Sequence, residues 1–136
     1  MKLLMIYAYR FHFRTAAKTL EDVDDTSEDG ELHNAQIAFI QVEKQDEEDL
    51  KTKETKLVKN LKWAARKNDT NTIALHSFAH LSESKADPES TRLVLNNAEK
   101  RLATSGFEVV QTPFGYFLDL DLETPGLSLA RIFKDL

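Results

Sequence analysis

Apolar and polar side chains alternate with a period of two in the first part of the chain. Aromatic residues at odd positions are separated by small or polar ones in the run Tyr7, Ala8, Tyr9, Arg10, Phe11, His12, Phe13, Arg14. This period predicts a strand over Lys2–Thr15 with one packed face and one face in polar surroundings. A second apolar segment, His33–Lys44, predicts another strand. We expect the two to pair antiparallel across an acidic, solvated loop, Glu21–Glu31.

Two later segments have the 3.6-residue period of amphipathic helices. Leu50–Lys67 places its apolar residues on one stripe and ends with basic residues, which suits the helix dipole. A second helix is predicted to begin at Asp87-Pro88-Glu89, since Asp87 is a good N-cap and proline fits the first helical position. Gly106 is predicted to end it, in the position that a left-handed cap requires. Trp63 lies off the first stripe and is interpreted as a partly exposed residue, with packing on another element or subunit as the alternative.

The remaining apolar runs are short. Thr72–Phe78 predicts a buried strand, Phe107–Gln111 and Tyr116–Leu122 predict two strands that pair with each other, and Leu127–Phe133 predicts a short last helix. The order β β α β α β β α indicates an α/β (α+β) fold: a mixed sheet with two main helices and a short C-terminal helix. A length of 136 residues suits one domain over residues 1–136.

Composition excludes several classes of function. The net charge of −5 argues against unspecific nucleic-acid binding through overall charge, although it leaves room for a local basic face. The chain has no cysteine, which excludes disulfides, thiolate metal sites and a cysteine nucleophile. No apolar run reaches the roughly 20 residues that span a bilayer. The apolar run at the start of the sequence is too short for a signal peptide, so we expect a cytoplasmic protein with no membrane partner.

Candidate chemistry gathers where the third strand ends. His76, Ser77, His80 and Ser82 follow one another there. His80 suits ligand binding, water positioning or base catalysis, whereas spacing alone favours a histidine satisfied by a backbone carbonyl. A serine nucleophile is disfavoured because no Gly-x-Ser-x-Gly elbow is present. The two histidines would lie about 13 Å apart on an extended strand, and we expect neither a metal nor another cofactor.

A second candidate segment is Pro113-Phe114-Gly115-Tyr116, a rigid turn into a strand. Proline fixes φ and glycine lets the backbone approach a neighbour or a ligand closely. Phe114 and Tyr116 either wall a pocket and stack on an adenine, or form an aromatic turn of the core.

Taken together, these motifs resemble a known family. Phe78-Ala79-His80-Leu81-Ser82, followed later by Pro113-Phe114-Gly115-Tyr116, resembles the amino-terminal editing domain of archaeal threonyl-tRNA synthetases. Met1-Lys2-Leu3-Leu4-Met5-Ile6, Ala38–Lys44 and Gly106-Phe107 support the resemblance in the same order. It covers essentially the whole chain.

The resemblance implies a D-aminoacyl-tRNA deacylase-like fold, a homodimer, and hydrolysis of L-serine wrongly attached to threonine tRNA without a cofactor. Serine lacks one methyl group of threonine, which is worth only about 1–3 kcal/mol of discrimination in one pocket. The partner would be the 3′-terminal adenosine of the tRNA, whose 2′-hydroxyl assists the water. The rest of a threonyl-tRNA synthetase is a further candidate partner. By position, the site residues would be Val42 and Ala79 as pocket lining, Phe114, Gly115 and Tyr116 around the adenosine, His80 at the aminoacyl group or the water, and Phe117 beside it.

The chain departs from the family pattern at three places. Leu118 occupies the position of a usual lysine, Arg131 that of a usual glutamate, and Tyr7-Ala8-Tyr9 replaces a usual His-Ser-Asp. Arg131 or Lys134 is a candidate source of a replacement cation, although a guanidinium does not replace an ammonium at a tight site. Two further interpretations therefore stay open: a binding module of the same fold that no longer hydrolyses, and a pocket adapted to another ester such as a D-aminoacyl-tRNA.

Overall fold

A computed structural model describes all 136 residues as a six-stranded mixed sheet with two α-helices. The strands are β1 Lys2–Lys18, β2 Asp29–Gln41, β3 Thr72–Ser77, β4 Glu108–Gln111, β5 Tyr116–Glu123 and β6 Arg131–Asp135. The helices are α1 Leu50–Lys67 and α2 Pro88–Thr104, and two short 3-10 helices lie at Lys44–Glu48 and Ser128–Ala130. The predicted mixed sheet with two main helices is confirmed.

The strand order is β4-β3-β2-β1, and β5 and β6 lie end to end along the far edge of β1. The predicted antiparallel pairing of β1 with β2 is confirmed, and β3 and β4 run parallel to β2. The predicted pairing of β5 with β4 is wrong, because β5 lies on the opposite edge of the sheet. β1 is 17 residues long, and its second half offers an open edge that β5 fills.

The predicted C-terminal helix is also wrong. The chain makes one 3-10 turn at Ser128–Ala130 and then forms β6, which pairs with Lys2–Ile6 of β1. A short isolated helix is marginal in water, whereas the open edge of β1 supplies ladder hydrogen bonds. The first half of β1 therefore determines the structure of the C-terminal segment.

Both helices pack on one face of the sheet and form the main core. All the residues of the α1 stripe are buried there: Leu57, Val58, Leu61, Ala64 and Ala65. The predicted helix ends are confirmed, since Asp87 accepts a hydrogen bond from the Ser90 amide and Gly106 has a φ of 95°. Trp63 is 41% exposed on the flank of α1.

The opposite face of the sheet carries a smaller core that includes Phe11, Phe13, Ile37 and Phe39. The prediction of one packed aromatic face along β1 is only partly right, because Tyr9 is 50% exposed. Opposite Tyr9, Asn34 has a left-handed backbone with a φ of 51°, and the β1–β2 ladder skips this pair. Odd-numbered residues of β1 face the helices before this irregularity, as Leu3 and Met5 do, and face the smaller core after it, as Phe11 and Phe13 do.

Candidate functional site

A pocket of about 360 Å³ opens where β2 and β3 end, beside the start of α2 and of β5. We call it the strand-end pocket. It is lined by all the residues that the sequence singled out as site residues: Val42, Ala79, His80, Phe114, Gly115, Tyr116 and Phe117. The histidine segment after β3 and the Pro113–Tyr116 bend, which are remote in sequence, therefore share one cavity.

His80 lies in the turn that follows β3, because the strand ends at Ser77. Its ring meets the ring of Phe78 edge to face, with 4.9 Å between centroids, and stacks against Phe117 at 6.1 Å. The residue is exposed, and no hydrogen bond to the protein holds its ring nitrogens. Both nitrogens are thus open to a ligand or a water. A backbone carbonyl does not satisfy this histidine.

Gln41, at the end of β2, fixes the loop that carries His80. Its Oε1 accepts from the amides of Leu81 at 2.6 Å and Ser82 at 2.7 Å. Its Nε2 donates to the carbonyls of Ser82 at 2.8 Å and Ser84 at 2.9 Å. The side chain is buried, so these four bonds replace water completely. Sequence reasoning missed this role; the available signal was a polar residue at the end of an otherwise apolar strand.

Glu43 holds the same loop from a second direction. The hydroxyl of Ser82 donates to its Oε2 at 2.6 Å, and the amino group of Met1 donates to its Oε1 at 2.9 Å. Burial alone would raise the pKa of Glu43, but the Ser82 hydroxyl and the Met1 ammonium hold that pKa below its usual value. Ser82 is therefore committed to a structural contact rather than available as a nucleophile.

An acidic turn that follows β2 is part of this arrangement. It forms the 3-10 helix Lys44–Glu48, in which Asp46 is fully buried and lies 2.9 Å from the Met1 amino group. The two carboxylates share one ammonium, which neutralises charge that would be costly to bury alone.

His76 joins β3 to the segment before the bend. Its Nδ1 shares a hydrogen bond of 2.8 Å with Oγ1 of Thr112, and its ring lies edge to face on Phe39. Burial lowers the pKa of His76 to about 4, and the neighbouring His80 adds to the effect. The ring is therefore neutral at pH 7 and acts as a fixed polar link between β3 and Thr112.

The bend itself is fixed by the loop between β1 and β2. Gly115 has a φ of 83°, and a Cβ there would lie 2.7 Å from Cγ1 of Val23. The hydroxyl of Tyr116 donates to the carbonyl of Asp24 at 2.5 Å and accepts from the amide of Thr26 at 2.9 Å. The close approach that Gly115 permits is thus to this loop, and the hydroxyl of Tyr116 is not free for a ligand.

The aromatic residues of the pocket differ in accessibility. Phe114 packs against the main core, and the guanidinium of Arg92 lies 4.8 Å from its ring centroid. Phe117 is 54% exposed, so it offers an open ring surface beside His80. Phe117 is therefore better placed than Phe114 to stack on a planar ligand.

The strand-end pocket is poor in charge. Lys85 is the one lysine or arginine among its lining residues, and no carboxylate lines it. Leu118 adds an apolar wall, and neither Arg131 nor Lys134 lines the cavity. Arg131 instead donates to the carbonyl of Pro125 at 2.8 Å.

No group of three or more histidine, aspartate or glutamate side chains has an arrangement that would hold a metal ion. Neither helix has the length and hydropathy needed to cross a membrane.

Comparison with known proteins gives concordant results. A family model described as the archaea-specific editing domain of threonyl-tRNA synthetase matches residues 1–136. The threonine–tRNA ligases of Methanosphaera stadtmanae and Hyperthermus butylicus are each 31% identical to the chain, over 136 and 141 residues. These matches cover 98% and 99% of the chain but 22% and 23% of the relatives. The chain thus spans less than a quarter of the length of the curated relatives it matches.

A solved structure described as the c-Myc DNA unwinding element binding protein superimposes with a TM-score of 0.69. The alignment covers 100% of this chain and 99% of that one, at 11% sequence identity. At that identity the likeness concerns the fold alone. The mixed α/β fold expected from the sequence is thus shared with a solved structure over the whole chain.

Proposed function

The chain belongs to the archaea-specific editing domain family of threonyl-tRNA synthetase, and we propose that it hydrolyses L-serine wrongly esterified to threonine tRNA. The observation that carries this proposal is the meeting of His80 with the Pro113–Phe117 segment around one cavity. Its volume of about 360 Å³ falls within the range of small-molecule sites. A separate editing site is needed for a physical reason: a single pocket discriminates against a substrate that lacks one methyl group by only about 1–3 kcal/mol.

In this proposal the terminal adenosine enters the strand-end pocket and stacks on the open face of Phe117. Gly115 and the rings of Phe114 and Tyr116 form the wall behind it. Val42 and Ala79 border the part that receives the aminoacyl group, where small side chains leave room for serine.

The reaction needs one water and no cofactor. The water oxygen attacks the ester carbonyl carbon, the bond from that carbon to the ribose oxygen breaks, and a proton passes to the ribose oxygen. The products are free serine and tRNA with a free 3′-terminal hydroxyl. His80 positions the water or accepts its proton, since its ring nitrogens are open. The neighbouring 2′-hydroxyl of the tRNA assists, which suits a pocket without carboxylates.

The test is release of serine from seryl-tRNA of threonine specificity by the purified chain, with threonyl-tRNA as the matched substrate. We expect the serine ester to be cleaved and the threonine ester to be spared. Persistence of the serine ester at its spontaneous rate would overturn the proposed function.

A second candidate is a binding module that has lost hydrolysis. It is favoured by the apolar Leu118 in the pocket wall and by the position of Arg131 outside the pocket. This candidate predicts binding of a non-hydrolysable seryl-adenosine analogue without turnover of the ester. The two measurements together separate it from the deacylase.

We also propose that residues 1–136 form one editing-type domain that acts in the cytoplasm together with the rest of a threonyl-tRNA synthetase. We further propose that this domain forms a homodimer. β6 supports the dimer, because it pairs on one side only with β1. Phe133 of β6 is exposed, and so are Leu127 and Leu129, which precede the strand. Light scattering during size-exclusion chromatography tests this, and a mass of 15.5 kDa at all concentrations would contradict it.

A further inference from the structure

Helix α1 has an unusual charge for a protein with a net charge of −5. It carries seven basic residues and only one acidic residue, Glu54. At the start of the helix the positive charges are neutralised, since Lys51 pairs with Glu54 and Lys53 with Asp46. The basic residues in the second half of α1 have no ion-pair partner, so this half carries uncompensated positive charge.

These basic residues line a shallow groove of about 630 Å³ on the protein surface. We call it the basic groove; its charged residues are Lys59, Lys62, Arg66 and Lys67 of α1 and Arg101 of α2. Only Arg101 among them has a carboxylate partner, Glu54 at 2.8 Å. Trp63, the one tryptophan of the chain, also lines the groove and is 41% exposed. The groove thus combines several cations that lack a carboxylate partner with one open aromatic ring.

The basic groove is separate from the strand-end pocket. The pocket lies where β3 ends at Ser77, whereas the charged residues of the groove lie in the carboxyl halves of both helices. Those halves lead into the beginnings of β3 and β4. At about 3.3 Å per residue, the six residues of β3 put roughly 20 Å between the two sites. One extended ligand is needed to occupy both.

We propose that the basic groove binds the phosphate backbone of the tRNA outside its 3′ end. This inference rests on the proposed function and adds a second contact surface for the same substrate. A nucleic-acid duplex carries one negative charge per about 1.7 Å of its axis, so a row of free lysines and arginines is complementary to it. Contacts of this kind position a nucleic acid without reading its sequence. Trp63 adds a ring on which a ribose or a base packs.

The experiment measures binding of uncharged threonine tRNA to the chain at several salt concentrations. Two double variants remove the same charge: Lys59→Gln/Lys62→Gln in the groove, and Lys100→Gln/Lys134→Gln on exposed lysines outside it. Each phosphate contact contributes about 0.9 to the slope of log affinity against log salt. We expect the groove variant to lose about 2 from this slope and to bind about tenfold more weakly. The second variant should keep the wild-type slope.

Trp63 supplies an independent readout. Because it is the only tryptophan, its fluorescence should be quenched as tRNA is added, and salt should reverse the quenching.

A wild-type slope in the groove variant would overturn the inference. This is the result expected if the groove binds another part of a synthetase rather than tRNA. Equal losses in both double variants would overturn it too, because they would show that general charge matters. The measurement concerns binding alone, so a missing deacylase activity would overturn the proposed function and leave this result standing.

Discussion

The ring of His80 stacks against the ring of Phe117, with 6.1 Å between centroids and 25° between planes. The contact joins the loop after β3 to the first residues of β5, two segments that share no backbone ladder. Two buried polar links support it: Gln41 fixes the loop, and His76 bonds to Thr112 before the bend. The shape of the strand-end pocket therefore depends on these two buried side chains as well as on the rings that meet in it.

Replacement of His80 tests its role in the reaction. We expect His80→Ala to lower kcat for serine release about tenfold to hundredfold, within the range of water positioning and base catalysis. The thermal midpoint should stay near wild type, because His80 is exposed and bonded to no protein group. His33→Ala is the matched control, since His33 is exposed and lies outside the pocket. Loss of the fold in His80→Ala would make this histidine structural.

Removal of the Gln41 side chain should damage both stability and activity. Gln41→Leu keeps the side-chain volume but removes the hydrogen-bond partner of the Leu81 and Ser82 amides. It also removes the donor to the carbonyls of Ser82 and Ser84. Because unpaired buried groups cost about 1–3 kcal/mol each and the loop can shift toward water, we expect a loss of about 2–4 kcal/mol in the free energy of unfolding. Urea denaturation measures it. A loss below about 0.5 kcal/mol would show that the loop is held by other contacts.

The buried His76 predicts how stability varies with pH. Its pKa rises from about 4 in the folded protein to the ordinary value of 6.5 on unfolding. Between these values the unfolded chain binds more protons, so the free energy of unfolding falls as the pH drops from about 6.5 toward 4. From pH 7 to pH 5 this amounts to about 2 kcal/mol. His76→Gln should show a correspondingly flatter dependence over this window, and equal slopes would contradict the account.

Leu118 tests whether the pocket lacks a cation. It lines the strand-end pocket and pairs with Thr15 of β1. We expect Leu118→Lys to raise the rate of serine release about tenfold, because an ammonium beside the ester stabilises the developing negative charge. Leu118→Met has a similar volume and no charge, so it should keep the wild-type rate. A lysine variant no faster than the methionine variant would mean that the existing pocket needs no further charge.

The local parts of the fold were predictable from the sequence. The bounds of α1 match the prediction because an apolar stripe of 3.6-residue period and its end signals lie within the helix itself. The partner of β5 and the existence of β6 were not predicted correctly. Both depend on the long open edge of β1, a property of a distant segment. Strand pairing is non-local, and short apolar runs do not encode it.

The candidate site shows the same division. The seven predicted site residues were assigned by position from the family resemblance, and all of them line one cavity. The supports of that cavity were missed, because Gln41 bonds mostly to backbone groups and Val23 contacts Gly115 from a loop that reads as solvated surface. Such partners leave little trace in residue type or spacing.

The central claim is that the strand-end pocket receives a nucleoside carrying a small amino acid. The most direct measurement is NMR titration of the chain with a non-hydrolysable seryl-adenosine analogue, with adenosine alone as control. The account predicts saturable shifts centred on Ala79, His80, Gly115 and Phe117, larger and at lower concentration for the seryl compound. An absence of binding, or shifts centred elsewhere on the molecule, would contradict it.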